Sequence, residues 1–354
     1  LTVLAANGKR AGMATCTPDT LHAPSRTAHG IACVLVGMCL FAGQDAFMKS
    51  LLLTYPIWML IFVRSCAAVL VLVPLILVLG GPHRLTSPLW RLHLLRAALF
   101  SVGFSLFYTA FPFMGLAEVT TIFFSAPLMI AVMAAVFLKE TIGIHRIGAL
   151  VTGFAGVLIA MNPAGDNFIW ISILPLVCAA FYAASQILAR QIGERESSLT
   201  VGLYTLAFTG PILLGMGYLL NSVLTFGPEF HHLRWAIPAE TLTDLPTLAL
   251  LGLIGMAAYI LLSRGYQVAD ASIIAPFDYS YLPIASVMAW LLWGEVPALT
   301  TILGMALIVA SGLYIGYREL RAARTGKEAV YVAETVTVPG SPHPQKVPDD
   351  QTWP

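Results

Sequence analysis

Charge is scarce in this sequence. Only 10% of its 354 residues are Asp, Glu, Lys or Arg, against roughly a quarter in a soluble domain, while 58% are hydrophobic and the mean hydropathy is +0.82. A water-soluble fold is excluded, because its helices would carry an apolar stripe and here the apolar runs are continuous on every side. The 19 basic and 18 acidic residues leave a net charge of +1, and neither end carries a long block of like charge, so nothing points to nucleic acid. Cysteine is also sparse. Cys33, Cys39, Cys66 and Cys178 lie in apolar stretches and Cys16 in a polar tail, without metal-ligand spacing, and read as small packing residues. There is no Gly-x-Ser-x-Gly, no His-Glu-x-x-His and no paired Cys motif, and the lack of a Walker A sequence removes ATP as an energy source within the chain. Glu229, His231 and His232 form the one dense group of possible ligands, with no third His nearby. No enzymatic activity, metal or cofactor is expected.

What is present are ten apolar windows of about 20 residues, the length a bilayer core demands. They fall near 29–51, 57–79, 92–112, 117–138, 144–161, 168–188, 200–220, 246–264, 271–293 and 298–317, so an all-α integral membrane protein with ten transmembrane helices is expected. The longest connection, about 221–245, holds Pro228, His231, His232, Trp235 and Pro238 and is expected on a membrane surface. Residues 1–28 and 318–354 cannot bury a core and read as disordered tails. Leu1 in place of Met suggests a truncated or alternative start, and the first tail lacks a signal-peptide pattern. With both ends in the cytoplasm, 16 of the 19 basic residues fall inside, Arg84, Arg91 and Arg96 among them; Lys49 and Arg234 fall outside and Arg64 within span two. That bias predicts a multi-pass protein of the cell inner (plasma) membrane with both termini cytoplasmic.

The chain also echoes itself. Leu116 to Ile122 (LAEVTTI) is similar to Val268 to Ile274 (VADASII) at a shift of 152, from 118 to 270. Glu140 matches Glu295, Gly148 and Gly156 match Gly304 and Gly312, and Phe41 matches Phe181 at a shift of 140. The jump in shift places an insertion of about a dozen residues in the second half, where the 221–245 connection is long. Two units of five spans follow, 29–162 and 163–317. Because five is odd, the second enters the membrane from the opposite side, an inverted repeat typical of secondary transporters with a solute site near the midplane.

These motifs resemble a known family. The run ADASIIAPFDYS from Ala269, continuing into MAWLLWGEVP from Met288, is similar to the second repeat of the drug/metabolite transporter superfamily in its EamA-type bacterial branch. FSAPL from Phe124 and FLKET from Phe137, with Lys49 and Arg64, fit its first repeat. The resemblance covers about residues 30–317. It implies a ten-helix carrier in two EamA-like five-helix repeats, around a cavity lined mainly by spans one to four and six to nine. Its implied solutes are amino acids, S-adenosylmethionine, riboflavin or other compact metabolites.

The repeat also sorts the polar residues. Glu118 and Asp270, and Glu140 and Glu295, occupy matching helix ends and read as scaffold. Gln44, Asp45, Arg64, Gln186 and Asp278 meet a different residue type in the other half (Ala184, Ser185, Tyr204, Ala46 and Phe123 in turn) and are candidates for substrate binding or coupling. An ionisable side chain in a membrane needs a partner; for Asp45 the reading is Lys49, four residues on along the same helix face, or Arg64. Asp278, between Pro276 and Pro283, has no local basic partner and can carry a proton. The aromatic candidates are Tyr108, Phe124, Tyr182, Tyr204, Tyr279 and Tyr281, with Phe111, Phe123, Tyr259 and Trp290 on the same spans. Trp58, Trp170 and Trp293 read as interface anchors, and Gly148, Gly153, Gly156, Gly304 and Gly312 as sites of close helix contact. The expected function is secondary active transport of a small metabolite by alternating access, coupled to protons or a counter-solute. The expected partners are that small-molecule substrate and the lipid bilayer. The alternative is a passive channel or a non-transporting receptor.

Overall fold

The computed structural model describes residues 23–81, 84–137, 143–165, 169–193, 195–238, 241–268 and 271–324; residues 1–22 and 325–354, Glu140 and Asp270 lie outside them, while 23–28 and 318–324, expected as parts of disordered tails, are helical. Regular structure among the described residues is entirely helical. The helices are α1 (Ala23–Leu51), α2 (Ile57–Leu79), α3 (Trp90–Ala110), α4 (Leu116–Phe123), α5 (Ala126–Phe137), α6 (Ile144–Met161), α7 (Ile173–Gly193), α8 (Ser198–Val223), α9 (Leu245–Val268), α10 (Ala271–Ile274), α11 (Tyr281–Trp293) and α12 (Leu299–Arg324). Short 3₁₀ turns occupy Trp170–Ser172, Pro228–Leu233 and Ala275–Ser280. In hydrocarbon only a helix satisfies its own backbone, which is why these uninterrupted apolar sequences adopt this one form.

Among the described residues nine stretches are long and apolar enough to cross a bilayer, with α4 and α5 together forming one of them (Leu116–Phe137). The stretch expected as the ninth of ten spans, 271–293, is instead broken into α10, a 3₁₀ turn and α11. Proline explains the break. Pro276 and Pro283 have no N–H to give to the carbonyl four residues back, so the ladder fails and the backbone tightens into 3₁₀ geometry. The α4–α5 junction fails likewise: Ser125 bonds back only three residues, to Ile122 O, just before Pro127. The two interrupted segments meet, with the Phe124 ring 5.5 Å from that of Tyr281 and 5.8 Å from that of Tyr279.

Helix packing follows a regular scheme. α6 lies on α12 and α2 on α8, while α1 packs on α9 as α3 packs on α7, and α11 on α1 as α5 on α7. Exchanging the first five segments for the last five maps this pattern onto itself. Side chains such as Leu70, Val78, Val136, Val151 and Leu291 are exposed on the outside of the bundle, as a lipid-facing surface requires.

Of the glycines expected at close helix contacts, two carry that role plainly. A Cβ on Gly156 would lie 2.9 Å from Gly304 O, and one on Gly304 would collide with the backbone of Gly156 and Ala160, so α6 and α12 touch through this pair. Gly148 does not share it, since nothing lies within 4 Å of its Cβ position, and Gly312 makes room for the Tyr279 hydroxyl rather than for a helix. Trp58 is also not an interface anchor: it is 2% exposed, packs on Gly217 and donates its indole N–H to Leu233 O at 2.9 Å. Gly156→Leu should therefore lower the thermal midpoint of the purified protein, by a cost of about 1–3 kcal/mol, whereas Gly148→Ala should leave it unchanged; a differential melt in detergent measures both.

Candidate functional site

The sequence-derived candidates that converge do so around Asp45. It lies on the inward face of α1, one turn after Phe41 and one turn before Lys49. Tyr108 of α3 donates its hydroxyl to Asp45 Oδ1 at 3.0 Å, and Tyr281 of α11 donates to Oδ2 at 2.6 Å. Arg64 of α2 in turn donates from Nη1 to the Tyr108 hydroxyl at 2.8 Å, with its guanidinium 5.6 Å from the centre of that ring. Four separate segments thus contribute to one hydrogen-bonded chain, Arg64–Tyr108–Asp45–Tyr281. A phenol hydroxyl donates once and accepts, so Tyr108 serves both charges. Asp45 is not paired with Lys49, and it meets Arg64 through the Tyr108 hydroxyl.

These groups line a cavity with about 900 Å³ of empty space, its open side included. The rest of the wall is mostly aromatic. Phe100, Phe104 and Phe107 recur at helical spacing on α3, with Phe111 just past its end; the first three face the cavity with Phe41, Phe123, Phe124 and Tyr259. Phe104 anchors this group, with ring centres 4.3 Å from Phe100 and 5.7 Å from both Phe107 and Phe123. Gln44, 5% exposed, packs its amide against Gly255 of α9. The cavity reaches Leu72 of α2 and Gly202 and Leu206 of α8, so it extends toward the face where α2 ends and α8 begins.

The other candidates lie elsewhere. Gln186 and Tyr182 stand behind the wall: the Gln186 amide donates to Tyr182 Oη at 2.7 Å, and the Tyr182 ring meets Phe123 and Phe104 edge-on. The same layer holds Arg96, which is fully buried and donates to Ser185 O at 3.2 Å, to Gln186 Oε1 at 3.3 Å and to Thr205. Its charge is therefore not a marker at the membrane boundary. Tyr204 sits at the helix ends, stacked on His93 at 4.5 Å, accepting from Ser87 N at 2.8 Å and donating to Leu85 O at 3.1 Å. His93 Nε2 lies 2.8 Å from Glu196 Oε2, and Ser87 also donates to Glu196, so the α2–α3 and α7–α8 connections are joined there. Asp278, 3% exposed, accepts from Tyr266 at 2.6 Å and is not on the cavity wall; neither is Tyr279 beside it, nor Trp290, which is exposed on the outside.

At the other end of α3, about 30 Å away by helix rise, a second set of contacts closes the bundle. Gly294, in a left-handed conformation (φ 68°), ends α11 and leaves Glu295 in the following turn. Lys49 Nζ donates to Glu295 Oε1 at 2.5 Å and to Met114 O at 3.1 Å, and stands 5.0 Å from the centre of the Trp293 ring. Glu295 Oε2 accepts from Leu116 N at 3.1 Å. One ion pair thus ties the end of α1 to the α3–α4 and α11–α12 turns. Glu295 therefore has a named partner, beyond the helix-end role read for it.

The connection after α8 covers this end. Asn221 donates to Leu233 O at 2.9 Å and accepts from Trp235 N at 2.8 Å, while Tyr55 donates to Asp244. His232 is wholly buried, 5.8 Å from the Phe113 ring. Burial, helped by the neighbouring His231 and opposed by the Thr109 backbone, pushes its imidazole down from 6.5 to about 4.

The chain matches the EamA-like transporter family over residues 28–162 and 169–317. It belongs to that family. Among its relatives, a riboflavin transporter of Vibrio cholerae is 28% identical over 74% of this chain and 83% of its own length. An S-adenosylmethionine uptake transporter of Rickettsia bellii is 25% identical over 83% of this chain and 95% of its own. A solved structure titled only as the crystal structure of a protein aligns with a TM-score of 0.53 at 18% identity, covering 86% of this chain and 99% of that one, and shows the shared fold. The EamA-type resemblance and the reading as a membrane transporter rather than an enzyme both stand.

Two outcomes follow from the closed end. Because folding depresses the His232 pKa, the unfolded chain binds the proton more readily, so this contribution to stability is full above pH 6.5 and declines as pH falls toward 4. His232→Phe should flatten that part of the stability profile, read as melting temperature against pH. Lys49→Met and Glu295→Gln should each destabilise the fold, and the double variant should cost less than the sum of the two. Their coupling should be roughly 1 kcal/mol, given partial exposure, in a double-mutant cycle of thermal melts.

Proposed function

We propose that the chain is a secondary carrier that moves one small metabolite with a flat aromatic body across the inner membrane by alternating access. The observation that carries this reading is the aromatic-walled cavity around Asp45 and Arg64, which extends toward one face while the Lys49–Glu295 pair spans the other. Flat ring systems suit such a wall, since stacking on Phe and Tyr adds to the burial of apolar area. The solutes named for relatives, riboflavin and S-adenosylmethionine, both contain a flat heterocycle and are the first to test.

The proposed domains are an EamA-like repeat over 29–162, another over 163–317, and tails at 1–28 and 318–354, of which α1 takes in residues from Ala23 and α12 those to Arg324. Packing that maps onto itself when the halves are exchanged supports two equivalent units, and five segments in each support their inversion. The Lys and Arg bias supports both termini in the cytoplasm, so that the cavity opens inward and the Lys49–Glu295 pair is the outer closure. Rocking one half on the other would break that pair and close the inner mouth, carrying the solute across without a continuous pore. The transport direction follows from the driving gradient, of protons or a counter-solute. Asp45 is the carboxylate on the cavity wall, and it replaces Asp278 as the proposed proton-exchanging group.

Purified protein in liposomes tests this. Saturable accumulation of riboflavin or S-adenosylmethionine is expected under a pH gradient or against internal counter-solute, lost in Asp45→Asn and kept in Asp278→Asn. Flux of equal speed with and without either driving force would identify a channel, and no saturable flux or binding across a broad metabolite panel would sink the carrier reading.

A further inference from the structure

The cavity wall carries one acid, Asp45, and one base, Arg64, otherwise lined by apolar, aromatic and small residues with the Gln44 amide. Asp45 Oδ1 and Arg64 Nη1 share the Tyr108 hydroxyl, at 3.0 and 2.8 Å, and so lie within about 6 Å of each other. Neither is saturated. An ionised carboxylate offers about four acceptor sites, of which the tyrosines occupy two, and a guanidinium offers five donors, of which Tyr108 takes one.

From this arrangement we infer that the transported solute carries an α-amino-acid head, its ammonium received by Asp45 and its carboxylate by Arg64, with its flat aromatic body against the phenylalanines of α3. This rests on the cavity being the solute site and narrows the class of solute. The argument is electrostatic. A solute with a lone anion would place its charge beside Asp45, and one with a lone cation beside Arg64, in surroundings of low dielectric where an unmatched charge is costly. A zwitterion meets both groups and leaves the occupied cavity neutral. A neutral ring system without such a head would displace nothing from the Arg64–Tyr108–Asp45 chain and leave the remaining donors of Arg64 unused. A closely spaced acid and base, held apart by a hydroxyl rather than collapsed onto each other, is the complement of ammonium and carboxylate on a single carbon. The Phe100–Phe104–Phe107 face begins on the helix that supplies Tyr108, so head and body are read by one element.

Paired probes that differ only in the head test the inference. In detergent, S-adenosylhomocysteine is compared with 5′-ethylthio-5′-deoxyadenosine, and L-tryptophan with 3-methylindole, by isothermal titration and by protection against thermal unfolding. At least one head-bearing probe should bind about tenfold or more tightly than its truncated partner. The gap should shrink below about threefold in Asp45→Asn and in Arg64→Gln, and remain largely in Arg64→Lys, which keeps the charge. Gel filtration and the melt of each unliganded variant establish that it is folded. Should wild-type protein bind both members of each pair equally, bind neither, or keep the gap in folded Asp45→Asn and Arg64→Gln, the amino-acid head is wrong. Riboflavin, measured in parallel, separates the two failures: its saturable binding alongside any of those results retains the carrier and removes only the proposed head.

Discussion

A carboxylate set among apolar helices is costly unless it is hydrogen-bonded, and the geometry around the cavity is arranged to meet that demand. Asp45 draws Tyr108 from α3 and Tyr281 from α11, and through Tyr108 it holds Arg64 of α2 at the edge of the cavity. Three of these residues come from the first half of the chain and one from the second. Removing the carboxylate would leave a guanidinium and two phenols to find other partners in a wall otherwise made mostly of hydrocarbon. The aromatic packing of α3 can then be understood as the dry surround that makes the polar chain specific.

The spans were legible in the sequence because membrane helices need only length and apolarity, and both are visible in a linear reading. The repeat was legible for a related reason: equivalent helix ends need the same residue types. The interruption of 271–293 was only half visible. Pro276 and Pro283 were evident, but whether a helix bends or breaks at proline depends on what satisfies the freed carbonyls, and that is a tertiary matter.

The site residues divide along the same line. Asp45 and Arg64 stood out because intramembrane charge unmatched in the other half is rare, and Tyr108 and Tyr281 only as aromatics on the spans around the expected cavity. Lys49 was read with Asp45, since i,i+4 neighbours are what a sequence displays, whereas its partner Glu295 is 246 residues away. Arg96 was counted as a boundary charge from its place near the start of a span, and only the fold reveals that α7 and α8 enclose it. The phenylalanines at 100, 104 and 107 did carry a signal, an i, i+4, i+7 stripe, but such stripes are far more common in ordinary helix packing than along a cavity.

The covered end bears on how the two halves behave as a pair. Near-equivalent inverted halves would give a carrier two shapes of similar energy, related by a two-fold axis in the membrane plane. The connection that ties Asn221, Leu233 and Trp235 to Trp58, and sets His232 under Phe113, sits at one end only, where the second half carries its inserted residues. It adds contacts to the shape in which that end is shut. Under the alternating access proposed above, these one-sided contacts would favour the shape in which that end is shut, so a solute arriving from the two sides of the membrane would meet different fractions of ready molecules.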